Sequence, residues 1–168
     1  VVDDGLQTSV AGVFACGNVL HVHDLVDHVS AEAAEAGRQA ARFTAAARRP
    51  DEPNTPALPG GAAPPAGTPA DATAIEVRDG EGIRGIVPQR IRRDALMSGP
   101  VKLMFRPTAV RKNAVLALEA DGVAVHHVRK RVLAPGEMVE LTIRPEYFTA
   151  GQPTRELRVR CEDATTAP

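Results

Sequence analysis

The feature that most constrains the fold is a proline-rich stretch in the middle of the chain, between Pro50 and Ala74. Its prolines lie at positions 50, 53, 56, 59, 64, 65 and 69, and glycines at 60, 61 and 67. Because proline lacks an amide N–H and fixes φ, this composition sustains neither a helix nor a sheet ladder. We predict an extended, semi-stiff linker. It divides the chain into an N-terminal part, 1–48, the linker, 49–75, a C-terminal part, 76–163, and a tail, 164–168.

The C-terminal part has the alternating pattern of β-strands. Apolar and polar residues alternate over 101–106, 139–144 and 156–161, which is typical of strands with one face on a core. Residues 83–91 add a further predicted strand.

Two turn signals divide these runs. Asp121-Gly122 predicts a hairpin between 114–120 and 123–132, and Pro135-Gly136 predicts a type II turn. About six short strands separated by turns indicate a small antiparallel β-sandwich or barrel.

The N-terminal part combines a short apolar run with an alanine-rich helix. Val13–Cys16, bounded by glycines, predicts a buried strand, and 29–47 predicts a helix with Asp27 or Ser30 as its cap. The helix has an apolar stripe of Val29, Ala33, Ala36, Ala40, Phe43 and Ala47, with Glu32, Glu35, Arg38, Gln39 and Arg42 on its flank and far side. Since alanine buries little apolar area, this part needs a host domain to fold.

The stretch from Thr8 to Asn18 reads Thr-Ser-Val-Ala-Gly-Val-Phe-Ala-Cys-Gly-Asn. It resembles the Thr-Ser-x-x-Gly-Val-Phe-Ala-x-Gly-Asp segment of the FAD-dependent pyridine-nucleotide oxidoreductases, flavoproteins with two dinucleotide-binding domains. Asn18 stands where that family has Asp. The resemblance extends to about Ala47 and implies the last strand and helix of a Rossmann-like FAD-binding domain.

The resemblance also implies which residues contact the cofactor. Gly17 would allow close approach of the backbone, Asn18 would contact the ribityl hydroxyls, and the following helix would direct its N-terminus at the flavin pyrimidine edge. The residues implied in FAD binding are Gly17, Asn18, Val19, Val29, Ser30 and Ala31. The activity implied is hydride transfer between NAD(P)H or substrate and FAD.

The chain contains no Gly-x-Gly-x-x-Gly motif, so the pyrophosphate-binding turn of a dinucleotide fold is absent. It begins at Val1 without a methionine. We therefore expect a C-terminal fragment of an oxidoreductase, inactive alone, whose NAD(P) and substrate sites lie upstream. Its catalytic residues are unknown, and its partner would be the remainder of the flavoenzyme or another subunit.

The β module, 76–163, resembles the C-terminal extension of some bacterial enzymes of this type. Ile86-Val87-Pro88-Gln89-Arg90 and Pro135-Gly136-Glu137-Met138-Val139 carry that resemblance. The competing hypothesis is a non-catalytic β-sandwich interaction module or docking subunit, to which the N-terminal part adds a docking helix.

Three histidines precede the helix at positions 21, 23 and 28, with Asp24 and Asp27 beside them. Imidazole and carboxylate suit zinc or iron, but no recognised ligand spacing is completed. We predict no metal and interpret these residues as a polar loop. Under the flavin interpretation His28 would lie near the ring edge and exchange protons; the alternative is a helix residue without chemistry.

Composition limits the partners. The net charge is −1 and aromatic residues make up 3% of the chain, so neither nucleic acid nor an anionic membrane is an expected partner. Arginines and lysines concentrate in the β module. They would either cover the outward faces of its strands or form a docking face for the rest of the enzyme or a partner subunit. With no apolar run long enough to span a membrane and no signal peptide, a cytoplasmic location is expected. Cys16 and Cys161 are too far apart for a Cys-x-x-Cys redox pair.

Overall fold

The computed structural model describes residues 1–47, 74–148 and 153–163. Almost all of the predicted linker, 49–75, and the whole predicted tail lie outside these ranges. The helices and strands of the described residues are α1 (Val26–Ala47), β1 (Ala74–Asp79), β2 (Ile83–Val87), β3 (Arg90–Arg92), α2 (Arg93–Ser98), β4 (Val101–Pro107), β5 (Arg111–Ala120), β6 (Val123–Leu133), β7 (Val139–Ile143) and β8 (Glu156–Asp163).

The strands form two sheets around one apolar core. One sheet has five strands in the order β3-β1-β8-β5-β6, and the other has three in the order β2-β4-β7. Side chains from both sheets and from α2 meet in the core, among them Phe105, Leu116 and Leu96. Alternate residues of β4 and β7 are buried, as the period-two pattern predicts. A mixed α+β chain made mostly of strands is thereby confirmed.

The arrangement of the strands differs from the prediction in two ways. The predicted strand 83–91 is divided into β2 and β3 around Pro88, since proline has no N–H to continue a ladder. The sheets are not wholly antiparallel, because β1 pairs in parallel with β8, with Val77 opposite Leu157. Sequence alternation indicates which side of a strand is buried but not which neighbour it pairs with.

One turn prediction is confirmed and the other is wrong. Asp121 and Gly122 connect β5 to β6 with φ angles of 49° and 82°, the two positive values that a type I′ hairpin turn requires. The turn at Pro135-Gly136 is closed by the Glu137 N–H, which donates to the Ala134 carbonyl at 3.0 Å. Gly136 does not adopt positive φ, so this turn is not type II.

The predicted buried strand at Val13–Cys16 is wrong. The run makes one isolated bridge, between Phe14 and Gln7, and Val13 is exposed. The Thr8 N–H donates to the Val13 carbonyl at 2.8 Å, and the Ala15 N–H donates to the Leu6 carbonyl at 3.0 Å. These bonds fold residues 6–15 into a small irregular hairpin, and no strand of either sheet pairs with it.

Helix α1 begins at Val26, earlier than predicted, so Asp27 and Ser30 lie inside it and neither is the cap. Part of the predicted apolar stripe of α1 packs against the rest of the fold. Ala36 is buried, and Phe43 packs edge-on against Phe14 with the ring centroids 6.1 Å apart. Within the described ranges, neither helix has the length and apolar composition needed to cross a bilayer.

The N-terminal part packs on the β module through a few specific contacts. The Val2 N–H donates to the Gln89 side chain at 2.8 Å, and the Val2 carbonyl accepts from the Gln89 N–H at 3.1 Å. Arg92 of β3 forms an ion pair with Asp4 at 2.8 Å. Val2 and Val87 share a small apolar cluster with Leu6 and Ala36. These contacts attach the helix and its preceding loop to one edge of the module.

Candidate functional site

A tight turn precedes the histidine-rich loop. Gly17–Val19 forms one turn of 3-10 helix, in which Gly17 is buried while Asn18 and Val19 are exposed. Gly17 has a φ of 71°, and a Cβ added there would lie 3.6 Å from a Val29 methyl group, which is an ordinary contact. Glycine is therefore required for the backbone conformation and not for space.

Val29 lies next to this turn, whereas Ser30 and Ala31 are exposed. Because α1 begins at Val26, the amides of Ser30 and Ala31 belong to the helix's own hydrogen-bond ladder. The N–H groups that lack an intrahelical acceptor are those of the first turn. In α1 these first-turn groups include the N–H groups of Val26 and Asp27, while the flavin contacts expected of Val29, Ser30 and Ala31 stay a prediction.

Two histidines converge on one buried carboxylate. The Nε2 atoms of His21 and His23 lie 2.9 and 3.1 Å from the two carboxylate oxygens of Glu32. The side chains of His21, His23 and Glu32 are 8%, 1% and 5% exposed. The two imidazole rings meet edge to face, with their centroids 4.4 Å apart. One ring nitrogen of each histidine and a carboxylate oxygen all lie within 4.8 Å of one another.

Glu32 also holds the glycine turn, since the Gly17 N–H donates to its Oε2 atom. Burial raises the pKa of Glu32, but the hydrogen bonds from His23, Gly17 and His21 together outweigh burial and leave that pKa below its ordinary value. The carboxylate is therefore charged at neutral pH and joins the turn, the loop and α1.

Asp24 is used elsewhere. Its carboxylate accepts from the Met138 N–H at 2.6 Å and pairs with the Arg106 guanidinium. The Met138 and Arg106 hydrogen bonds lower the pKa of Asp24. Asp24 thus fastens the loop to the turn between β6 and β7, while Asp27 is exposed on α1. The acid that joins the histidines is Glu32 and not either aspartate.

His28 lies beside the pair without joining the carboxylate, its ring centroid 6.4 Å from that of His23. The Nδ1 atoms of His21, His23 and His28 are all buried and have no hydrogen-bond partner among the described residues. Three such nitrogens so close in the chain, two in the loop and one in the first turn of α1, are unusual, because buried polar atoms are nearly always paired.

Several apolar side chains before and at the start of α1 are exposed, and the term exposed apolar face is used below for this set. Val19, Leu25 and Val26 are 78%, 58% and 74% exposed, and Val13 and Val22 are exposed as well.

The two cysteines lie in different parts of the fold. Cys161 is buried in the core of the β module, as its inward strand position predicts, and Cys16 is half-buried next to the glycine turn.

Comparisons of the chain with models of protein families, with curated proteins and with solved structures find no match.

From the sequence Glu32 is expected on the flank and far side of the helix and is missed as a partner of the histidines, whereas it is buried. It lies three residues after Val29 and four before Ala36, spacings that place a residue on the same helix face. This spacing is the signal that would have found it.

Proposed function

We propose that residues 8–47 form one wall of an FAD site in a cytoplasmic, NAD(P)-linked oxidoreductase. The remaining walls would come from the rest of the flavoenzyme or from a partner subunit, and neither nucleic acid nor a membrane would be a partner. One observation carries the proposal. Asn18 and Val19 stand exposed on a turn that Glu32 holds against α1, beside the helix N-terminus and an exposed apolar face.

These surfaces suit the three chemical parts of a flavin. The exposed valines and Leu25 would contact the apolar ring face, and the Asn18 carboxamide offers a donor and an acceptor to ribityl hydroxyls. The free amides and positive dipole end of α1 would stabilise negative charge at the pyrimidine edge. Bound flavin would supply the hydride chemistry. This chain's residues would bind and orient it.

The first test uses the chain as it is and needs no activity. In an amide NMR titration with FAD, we expect shifts for Gly17–Val19 and for the first turn of α1, Val26–Val29. Amides of β7 in the second sheet serve as the control and should not move. Shifts confined to the β module, or none at millimolar FAD, would contradict the proposal.

The second test uses the protein together with the part that completes the site. Asn18→Leu should lower the flavin content of the purified protein, read from the visible absorbance, because leucine removes both polar contacts. Asn18→Asp is the matched control, since it restores the residue of the similar flavoproteins and should retain flavin. Equal flavin content in Asn18→Leu and the unchanged protein would rule out a contact at this position.

A second candidate function is an interaction module, and the observation that favours it is β6. This strand is an edge of the five-stranded sheet, is 11 residues long, and exposes Val123 and Val132. An unpaired edge can accept a strand from a second copy. If it does, the outward amides of β6 should exchange with solvent rapidly in dilute protein and slowly at high concentration. Exchange rates that do not depend on concentration would exclude this pairing.

A further inference from the structure

We propose that His21, His23 and Glu32 bind a zinc ion. The site lies between the loop before α1 and the second turn of that helix, and it neither requires flavin nor follows from flavin binding. From the sequence no metal is expected, because the histidines with Asp24 and Asp27 complete no recognised ligand spacing. The fold replaces the aspartates with Glu32, which α1 brings back over the loop.

The donor set has the composition of known zinc sites. Two imidazoles and one glutamate form a three-ligand set in which a fourth position stays open for water or substrate. A carboxylate among the ligands offsets part of the charge of the ion. Softer metals prefer thiolate ligands, and the half-buried Cys16 does not belong to this group of donors.

The distances are close to those that zinc needs. With Zn–N and Zn–O bonds of roughly 2.0–2.2 Å, the donor atoms of a tetrahedral site lie about 3.3 Å apart. The two histidine-to-glutamate distances are 2.9 and 3.1 Å, and no two of the three donor atoms are more than 4.8 Å apart. Zinc binding would require each distance from a histidine Nε2 atom to a Glu32 oxygen to lengthen by a few tenths of an ångström. The two imidazole rings would also have to approach each other.

Burial separates this group from a chance surface cluster. All three side chains are more than nine-tenths buried. Hydrogen bonds to Glu32 account for one nitrogen of each ring, while the Nδ1 atoms of both rings stay unpartnered among the described residues. Three convergent ligand side chains buried to this degree differ from exposed acidic groups, which are common without a bound ion.

The neighbours decide what could occupy the fourth position. Asp24 is engaged by Arg106 and by the Met138 N–H, so it does not turn toward the histidines. His28 is a candidate, because its ring lies 6.4 Å from His23 and its Nδ1 atom is buried without a partner in the described part of the chain. Otherwise the position is open to solvent or substrate.

The test is a zinc titration of the whole chain after removal of metals with a chelator, in competition with a chromophoric chelator and without FAD. We expect one zinc per chain. His23→Ala should weaken binding at least about 100-fold, because loss of an outer-shell partner alone weakens metal affinity 10–100-fold and His23 would be a direct ligand. His127→Ala is the matched control, an exposed histidine of β6 far along the chain from the site, and should leave the affinity unchanged.

Cobalt binding is measured on the unchanged chain, so this test does not require any substituted variant to fold. The unchanged chain loaded with Co²⁺ should show the intense visible absorption of a four- or five-coordinate site, and Zn²⁺ should abolish it. Weak absorption typical of six-coordinate Co²⁺, no stoichiometric zinc, or equal losses in His23→Ala and His127→Ala would overturn the proposal. Since FAD is absent throughout, a failure here is independent of the flavin titration.

Discussion

Asp3 lies at the base of the N-terminal hairpin, where its Oδ1 atom accepts from the Gly5 and Gln7 N–H groups, both at 2.9 Å. Burial raises the pKa of this carboxyl above its ordinary value of 3.8, in spite of those hydrogen bonds. The charged form is therefore disfavoured in the folded state, and its ionisation lowers stability as pH rises from 3.8 through the raised folded value.

Asp3→Asn should consequently become more stable, relative to the unchanged protein, as pH increases. Asparagine keeps the acceptor oxygen and cannot ionise. Urea unfolding at pH 3, 5 and 7 measures the difference in free energy of unfolding, in which the other carboxylates cancel. A difference that stays constant or shrinks between pH 3 and 7 would contradict this assignment.

Gly17 tests the conformational requirement of the turn at the proposed flavin wall. Gly17→Ala should destabilise the protein by roughly 1–2 kcal/mol, because its φ of 71° disfavours any residue with a Cβ. Gly37→Ala is the matched control: it lies in α1, has open space around its Cβ position, and should stabilise by about 0.5–1 kcal/mol through helix propensity. Thermal unfolding should show a lower stability for Gly17→Ala and a higher stability for Gly37→Ala. Stability changes of the same sign in both variants would show that φ is not the cause at Gly17.

At the scale of elements, the strands that could be predicted are those with one face on the core. In β4 and β7 the buried residues alternate without a break, because the pleat directs successive side chains to opposite faces. The hairpin between β5 and β6 was predictable because Asp121-Gly122 tolerates two positive φ angles. Both features depend on residues that are neighbours in the chain, so both can be predicted from the sequence.

The elements that could not be predicted depend on distant partners. The parallel pairing of β1 with β8 joins residues about 80 positions apart, such as Val77 and Leu157, and no local signal specifies it. The apolar run at Val13–Cys16 looks like a buried strand until its neighbours are known. The spacing of Glu32 from Val29 and Ala36 places it on their helix face, but no local signal places His21 and His23 of the preceding loop against that face.

Helix α1 depends on Phe43 for contact along its second half. Phe43 packs edge-on against Phe14 and lies under Gly12, whose Cβ position is 3.1 Å from the ring. Phe43→Ala should destabilise α1 by about 1–2 kcal/mol, less than the 3–5 kcal/mol of a fully buried phenylalanine, because the ring is only half-buried.

Amide exchange of the α1 residues measures this loss locally. Thr44→Ala is the control, since that exposed hydroxyl bonds only the Ala40 carbonyl in its own helix and its loss should have little effect. If exchange in α1 is as slow in Phe43→Ala as in the control, the ring contact does not hold the helix.

At the scale of the whole molecule, the two parts differ in how much core they bury. The apolar core of the β module draws on both sheets. The N-terminal part buries only Val2, Leu6 and Ala36, and it shares their cluster with Val87 of β2. So little buried area does not offset the conformational entropy of about 47 ordered residues, and the β module must supply part of the stability of α1.

Mixing the two parts as separate polypeptides tests this dependence. We expect 74–163 to fold alone and 1–47 to be unfolded alone, and the helical circular dichroism of 1–47 should rise when 74–163 is added. Arg92→Ala in 74–163 should weaken this association, because it removes the guanidinium that pairs with the Asp4 carboxylate, whose side chain is 7% exposed, and leaves only the N–H of residue 92 to donate to it among the contacts with Arg92. Arg78→Ala is the matched control, since Arg78 pairs with Glu76 and Glu156 inside the β module. Helix formation by 1–47 alone, or equal association with both variants, would show that the contacts at β3 do not stabilise the N-terminal part.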